Sequence, residues 1–368
     1  MAQLGDRPPF RADHVGSLLR PARLKEARRA REAGRLPAEE LARVEDEEIR
    51  RVVRQQRDIG LRAVTDGEFR RAWWHFDFLE HLDGVEGYEA DQGIQFHQVQ
   101  TKARGIRVSG KLGFTDHPML AHFRYLQSVA GDSTAKMTIP SPSMLHFRGQ
   151  IDPAVYPDPD EFFADLAAAY QKAIRTFYEA GCRYLQLDDT SWAYLCSEEQ
   201  RAQIRAKGWD PDVLAQRYAR TIQEAVAGRP DDLTLTMHIC RGNFRSTWIA
   251  SGGYEPVAEV LFTQLPIDGF FLEYDSDRAG GFEPLRFVER PDLKIVLGLV
   301  TSKFGELEKA DDLKRRIDEA TRFVPLEQLC LSPQCGFAST EEGNLLSEDE
   351  QWRKLELVVN VAGSVWGW

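Results

Sequence analysis

The stretch LTLTMHICRGNF, residues 233–244, begins as an alternating apolar strand and then sets His238 and Cys240 two residues apart. Residues i and i+2 of a strand project to the same side. Further along, FFLEYD ends an apolar run in Glu273, and SPQCG follows another with Cys335. One imidazole, two thiolates and one carboxylate make a four-ligand set, and soft sulfur combined with nitrogen favours Zn2+ over Mg2+ or Ca2+. No CxxC or HxxxH pair occurs, so the weight rests on each residue standing at the end of a different strand. Taken singly, a buried Cys is a small hydrophobe, and a strand-end His or Glu is a hydrogen-bonding group. Cys182, Cys196 and Cys330 are read in that plainer way. Two thiolates and a carboxylate outweigh the charge of Zn2+ by one unit, which makes a poor Lewis acid toward a carbonyl. Such a centre can still bind a thiol, lower its pKa and leave its sulfur nucleophilic. Glu273, the hardest of the four, is the ligand expected to yield to an arriving sulfur.

The elements that must bring these residues together recur along the chain. An apolar strand finishing in polar residues appears eight times, at 10–17, 63–69, 135–143, 184–189, 233–240, 269–275, 294–300 and 329–337. Between them lie helical stretches such as the one within segment 155–189, where Phe162, Leu166, Tyr170, Ile174 and Phe177 fall at three- and four-residue intervals and Gly181 sits where a helix would end. Eight alternating units predict an α/β fold, a (β/α)8 TIM barrel with extended loops at its C-terminal face, in which all strand ends share one mouth. An open doubly wound sheet is the rival arrangement. The intervals 70–134 and 190–232 exceed a simple crossover and are read as excursions over the mouth, the first with a hairpin within FHQVQTKARGIRVSG. No linker divides residues 1–368, which are read as a single domain.

A net charge of −11 argues against a nucleic-acid partner. No run approaches the roughly 18 apolar residues of a membrane span, and MAQLGDRPPFRAD lacks a secretory apolar core. Five cysteines without close pairing fit a reducing, cytoplasmic setting.

His238-Ile239-Cys240, the glutamate of LEYD and the cysteine of PQCGF resemble the zinc motifs of the cobalamin-independent methionine synthase family, in its short, single-barrel form. HVGSLLRP at 14–21, TDGEFRR at 65–71 and LQLDDTSW at 185–192 extend the resemblance over nearly the whole chain. It implies a catalytic barrel in which zinc held by His238, Cys240, Glu273 and Cys335 activates homocysteine. The enzyme would then be an S-methyltransferase of the 5-methyltetrahydropteroyltriglutamate–homocysteine type, serving methionine biosynthesis. Carried over by position, Ser17, Glu68 and Asp188 would hold the amino-acid part of homocysteine, a carboxylate pair being suited to an α-ammonium. The chain departs from the family pattern in three places. The long enzymes carry an N-terminal barrel without counterpart in these residues. Thr301 stands where they have a histidine that protonates the folate, and IPSPSMLHF at 139–147 replaces the segment whose tryptophan stacks on the folate ring.

The expected partners are therefore a small-molecule thiol and a methyl donor, the donor being 5-methyltetrahydrofolate, a methylated corrinoid protein or a small methylated molecule. Arg241, Asn243, Arg245 and Lys303, just past two strands, could receive an anionic group or form a solvated face. His14 is a candidate proton donor or a core hydrogen-bonder, and Trp73, Trp74, Phe76 and Phe78 either close over a ligand or pack the excursion. A second enzymatic reading is alkyl transfer to a zinc-bound thiol of the epoxyalkane:coenzyme M transferase type; a third is a barrel that only binds a metal or tetrapyrrole. Both a monomer and a homo-oligomer are compatible with the sequence.

Overall fold

In a computed structural model, which describes residues 7–96 and 99–367, twelve strands are present among the described residues: β1 (Ala63–Val64), β2 (Asp83–Glu89), β3 (Gln95–Phe96), β4 (Val99–Gln100), β5 (Arg104–Gly113), β6 (Thr134–Pro140), β7 (Gly149–Ile151), β8 (Tyr184–Asp189), β9 (Thr234–Ile239), β10 (Gly269–Glu273), β11 (Lys294–Val300) and β12 (Leu329–Pro333). Seven of them form one parallel sheet in the order β1-β6-β8-β9-β10-β11-β12, with helices in the crossovers. This is the curled sheet of a TIM barrel. Helix Pro159–Glu179 shows how the sequence sets its elements: Asp158 caps it by accepting from the Asp160 amide, Pro159 opens it, and Phe162, Leu166, Tyr170, Ile174 and Phe177 bury one face. Gly181, at φ +101°, ends the turn that follows.

The strands have two unlike faces. Leu185 and Leu187 of β8, Met237 and Ile239 of β9, and Ile295 and Leu297 of β11 pack with the helices in one large apolar cluster. The alternate positions point into the barrel, and there Lys136, Thr138, Gln186, Asp188, Thr236 and His238 are all buried. Val15, Phe271, Val296 and Cys330 make a small apolar cluster apart from the main one, and Phe10, Ala63 and Tyr184 make another. Between these two patches the barrel interior is largely polar.

The segment expected as the first strand, 10–17, differs from the expectation. It forms a single parallel bridge, Ala12 to Leu331, with amide bonds from Asp13 to Leu331 O (3.1 Å) and from Leu331 to Arg11 O (2.9 Å). On its other side Thr65 Oγ1 donates to Gly16 O (2.6 Å) and the Leu18 amide to Gly67 O (3.0 Å). The segment therefore spans the two edges of the seven-stranded sheet. Side chains replace the missing ladder. Lys136 Nζ donates to His14 O (2.6 Å) and reaches Asp13 Oδ1 (3.2 Å), Tyr184 OH donates to Asp13 Oδ2 (2.8 Å), and Gln186 Nε2 donates to Val15 O (2.7 Å).

The first excursion carries a small sheet, β2 antiparallel to β5 with β7 alongside, and a short β3–β4 pair. Part of the expected hairpin, residues 97 and 98, lies outside the described residues. In the second excursion helices Ser191–Leu195 and Glu198–Ala206 precede helix Pro211–Val226, which packs against Pro159–Glu179 as an outer-layer helix rather than over the mouth. Among the described residues, no helix is long and apolar enough to cross a membrane.

Lys136 and Asp13 are both fully buried, so removing one partner strands a charge. Lys136→Met is expected to lower unfolding free energy by about 3–5 kcal/mol, read from urea denaturation at neutral pH; a loss below about 1 kcal/mol, the range of an exposed pair, would contradict the closure described.

Candidate metal centre and substrate cleft

His238 lies near the end of β9 and Cys240 one residue past it, Glu273 closes β10, and Cys335 follows β12 by two residues. One ligand atom from each lies within 4.8 Å of all the others, and all four residues are buried. The two sulfurs are 3.5 Å apart. Bond lengths of about 2.0–2.3 Å to a tetrahedral zinc imply ligand separations of roughly 3.3–3.8 Å, so the sulfur pair already has the spacing a shared ion requires.

The surroundings aim these atoms at a common point. His238 Nδ1 sits 3.4 Å from Asp188 Oδ1, which also accepts from Gln186 Nε2 (2.7 Å); the other ring nitrogen, Nε2, has no partner among the described residues. Glu273 Oε1 accepts from the Arg241 amide (3.0 Å), and its buried Oε2 is likewise unpartnered among the described residues. The Glu273 amide donates to Tyr254 OH (2.9 Å), and the Gly242 amide donates to Cys240 Sγ (3.3 Å). Leaving a buried acceptor unmatched costs about 1–3 kcal/mol. Two such atoms facing two thiols are what a cation would satisfy, and a carboxylate behind the imidazole is a usual support for a metal-ligating histidine.

Electrostatics within the metal-free protein point the same way. Burial opposes a charged Cys335, yet the hydrogen-bonded Cys240 thiol and the neighbouring His238 ring hold this thiol well below its ordinary range. Hydrogen bonding to Cys335 and burial together push the Cys240 thiol up. Burial also opposes a charged His238, but contacts with Asp188 and Cys335 raise it to about 10. The cluster gathers negative charge and protons compete for it.

Ser17, Glu68 and Asp188 border the same cleft as His238, Cys240 and Cys335. Glu68 sits at φ +60°, a left-handed conformation uncommon for a side chain of this kind. Arg20, fully buried, braces it by donating to the carbonyls of Glu68 (2.8 Å), Arg71 (3.1 Å) and Ala338 (2.5 Å). Thr138 Oγ1 donates to Glu68 Oε1 (2.9 Å), while Oε2 has no partner among the described residues. Ser17 Oγ accepts from the Ala338 amide (3.3 Å), and a Cβ on Gly336 would come within 2.0 Å of that oxygen, so the loop after β12 needs glycine there. Burial lifts the Glu68 carboxyl to about 7; Arg71 works against this and Asp188 with it.

Other sequence candidates are placed differently. Arg241 is buried over the Tyr254 ring (4.4 Å), Lys303 is buried beside Asn243 (3.5 Å), and Arg245 is exposed; of this group only Asn243 borders the cleft. His14 does not border the cleft, and burial lowers it to about 4, so it is no proton donor there. Phe76 and Phe78 belong to the core, whereas Trp73 and Trp74 face the cleft. Sequence reasoning missed His75 and Phe96, cleft residues on the first excursion, and Arg148, which ends the short helix Ser143–Arg148 after β6. The WWH triplet and the arginine of MLHFRG were the available signals.

A parallel barrel thus carries a buried His-Cys-Glu-Cys cluster at its C-terminal mouth with a carboxylate pair beside it, the residues that the sequence motifs singled out. The model of the family described as cobalamin-independent synthase, catalytic domain, matches residues 10–364. The uncharacterized protein YxjG of Bacillus subtilis is 62% identical over 361 residues, covering 98% of this chain and 96% of that protein. A crystal structure of the putative vitamin-B12 independent methionine synthase from Listeria monocytogenes is 50% identical, with a TM-score of 0.82 over 98% of this chain and 99% of that one. A B12-independent methionine synthase from Shewanella, solved in complex with selenomethionine, shares the fold at 19% identity and a TM-score of 0.73, covering 96% and 97% of the two chains. The chain belongs to the cobalamin-independent synthase family.

Because the native carboxyl of Glu68 is raised, the folded state holds its proton more tightly than the unfolded chain. That contribution is complete below about 4.5 and is lost as pH rises toward 7. Glu68→Gln should therefore lose less stability than the parent between pH 4.5 and 7, by up to about 3 kcal/mol; urea midpoints across that range check it, and parallel profiles would contradict it.

Proposed function

We propose that this protein is a zinc-dependent homocysteine methyltransferase that forms methionine. The observation that carries the reading is the juxtaposition of two kinds of site in one cleft: a buried four-donor cluster suited to a soft divalent ion, and Glu68 with Asp188 beside it. Homocysteine has the matching pair of groups, a thiol and an α-ammonium, separated by a short aliphatic chain. His238, Cys240, Glu273 and Cys335 would hold the zinc. When bound, the metal supplies stabilisation of a substrate sulfur in its deprotonated form at neutral pH.

The rest of the work falls to side chains of the chain. Glu68 and Asp188 receive the substrate ammonium, with Arg20 fixing the backbone of Glu68 and Gln186 fixing the Asp188 carboxylate. Ser17, held by the loop after β12, contributes a hydroxyl at the same end. Asp188 also orients His238, so substrate recognition and the metal centre share one carboxylate. Buried walls exclude water from the thiolate, which keeps it unsolvated and reactive. Coenzyme M fits less well as the thiol, since it has no ammonium to match the two carboxylates.

The test is metal content and turnover together. The purified protein should hold about one zinc per chain, and Cys335→Ser should lose both zinc affinity and methionine formation by more than the about 10–100-fold that loss of an outer-shell partner costs. A variant with parental zinc and parental turnover would remove the proposal.

A further inference from the structure

The cleft has a second wall, built by the first excursion and by the short helix Ser143–Arg148 after β6 rather than by the barrel strands. Trp73, Trp74, His75, Phe96 and Arg148 face into it, opposite in origin to Glu68 and Asp188. His75 is buried with its ring tilted against those of Trp74 (4.5 Å) and Phe76 (4.0 Å), and neither ring nitrogen has a partner among the described residues. Arg148 donates one bond to Tyr194 OH (3.2 Å), while its buried Nε is unpartnered among the described residues. A guanidinium and an imidazole N–H with free donors in an aromatic surround fit a carboxylate. The indole and phenyl faces beside them fit a methylated cation, which they attract without a counter-charge.

Proton supply narrows the chemistry further. A methyl group leaving a neutral amine nitrogen requires a proton for the departing anion. Burial and the charges of Arg148 and Arg104 keep His75 neutral, and a guanidinium is no acid at neutral pH, so this wall offers no proton. Glu68 has the acidity, but in the proposed function it is engaged by the substrate ammonium.

We infer that the methyl donor is a small methylated onium compound bearing a carboxylate, held by Arg148 and His75 with its cationic centre against Trp73, Trp74 and Phe96. The inference rests on the proposed homocysteine reading and names the second substrate class of that site. In the reaction the thiolate lone pair forms the new S–CH3 bond, the bond from the onium centre to the methyl carbon breaks, and its electron pair stays on the donor. The donor leaves as a neutral thioether or tertiary amine, with one proton released from the homocysteine thiol before transfer and none required afterwards.

The experiment supplies zinc-loaded full-length protein with homocysteine and one donor at a time: dimethylsulfoniopropionate for a sulfonium, glycine betaine for an ammonium, the trimethylsulfonium ion as a donor without carboxylate, 5-methyltetrahydrofolate, and methylcobalamin. Methionine is read by mass spectrometry, and homocysteine binding is followed separately by the charge-transfer spectrum of Co2+-substituted protein. Methionine from at least one onium carboxylate, at a rate exceeding that from trimethylsulfonium by about tenfold or more, is expected; which of the two works identifies the source. Arg148→Leu should raise the donor KM by about tenfold or more while leaving the homocysteine KM within about twofold, and Arg148→Lys should recover part of the loss. Methionine from folate or methylcobalamin alone overturns the inference. Homocysteine binding with no methionine from either onium carboxylate overturns it too and leaves the acceptor reading standing, whereas absent homocysteine binding brings down both.

Discussion

Everything at the mouth of this barrel depends on one electrostatic constraint: two thiols 3.5 Å apart, an imidazole and a carboxylate are packed together out of water. Such a group cannot carry its full negative charge uncompensated, because burial penalises each anion by several kcal/mol. The conflict shows in opposed shifts: contacts with Asp188 and Cys335 raise His238 despite burial, Cys335 and burial push the Cys240 thiol up, and Cys335 is held below its ordinary range. A soft divalent ion would resolve it more completely and would satisfy Nε2 of His238 and Oε2 of Glu273 at once. The proposed chemistry follows from that resolution, since a donor set richer in charge than the ion leaves a bound sulfur electron-rich.

The barrel can meet this constraint because its interior is polar well below the mouth. Lys136, Asp13, Tyr184 and Gln186 hold the first segment by side-chain bonds where a regular ladder is absent. The same inward rows continue upward into Asp188 and His238. Closure of the ring and construction of the site are therefore one polar network, and Asp188 is the residue at which the inward row of the barrel meets the His238 ring. Arg20 plays a comparable part, tying the loop after β1 to the loop after β12 through three carbonyl oxygens.

Much of this was legible in the sequence, for physical reasons that can be stated residue by residue. Strand-end polar residues such as Asp188, His238 and Glu273 stand out because they interrupt apolar runs, and parallel topology sends all such ends to one face. Gly181 and the acidic start of helix Pro159–Glu179 mark boundaries by local chemistry alone. The segment 10–17 was harder: its apolar pattern resembles a strand, but it makes only one bridge, and side chains from β6 and β8 bond its carbonyls instead. His75 was missed because it reaches the cleft from an irregular part of the first excursion, and Arg148 because it ends a helix, Ser143–Arg148, too short for periodicity to say which way a side chain turns. Arg241 and Lys303 failed in the opposite sense, since position after a strand suggested the mouth while their side chains turned into the protein.

The most direct measurement of the central claim is X-ray absorption at the zinc edge of the purified protein, which counts the atoms around the metal by type. Two sulfur neighbours at about 2.3 Å and two nitrogen or oxygen neighbours at about 2.0–2.2 Å are expected, with the sulfur pair reduced to one in Cys240→Ser. A shell of nitrogen and oxygen alone, or protein that takes up no zinc, would contradict it.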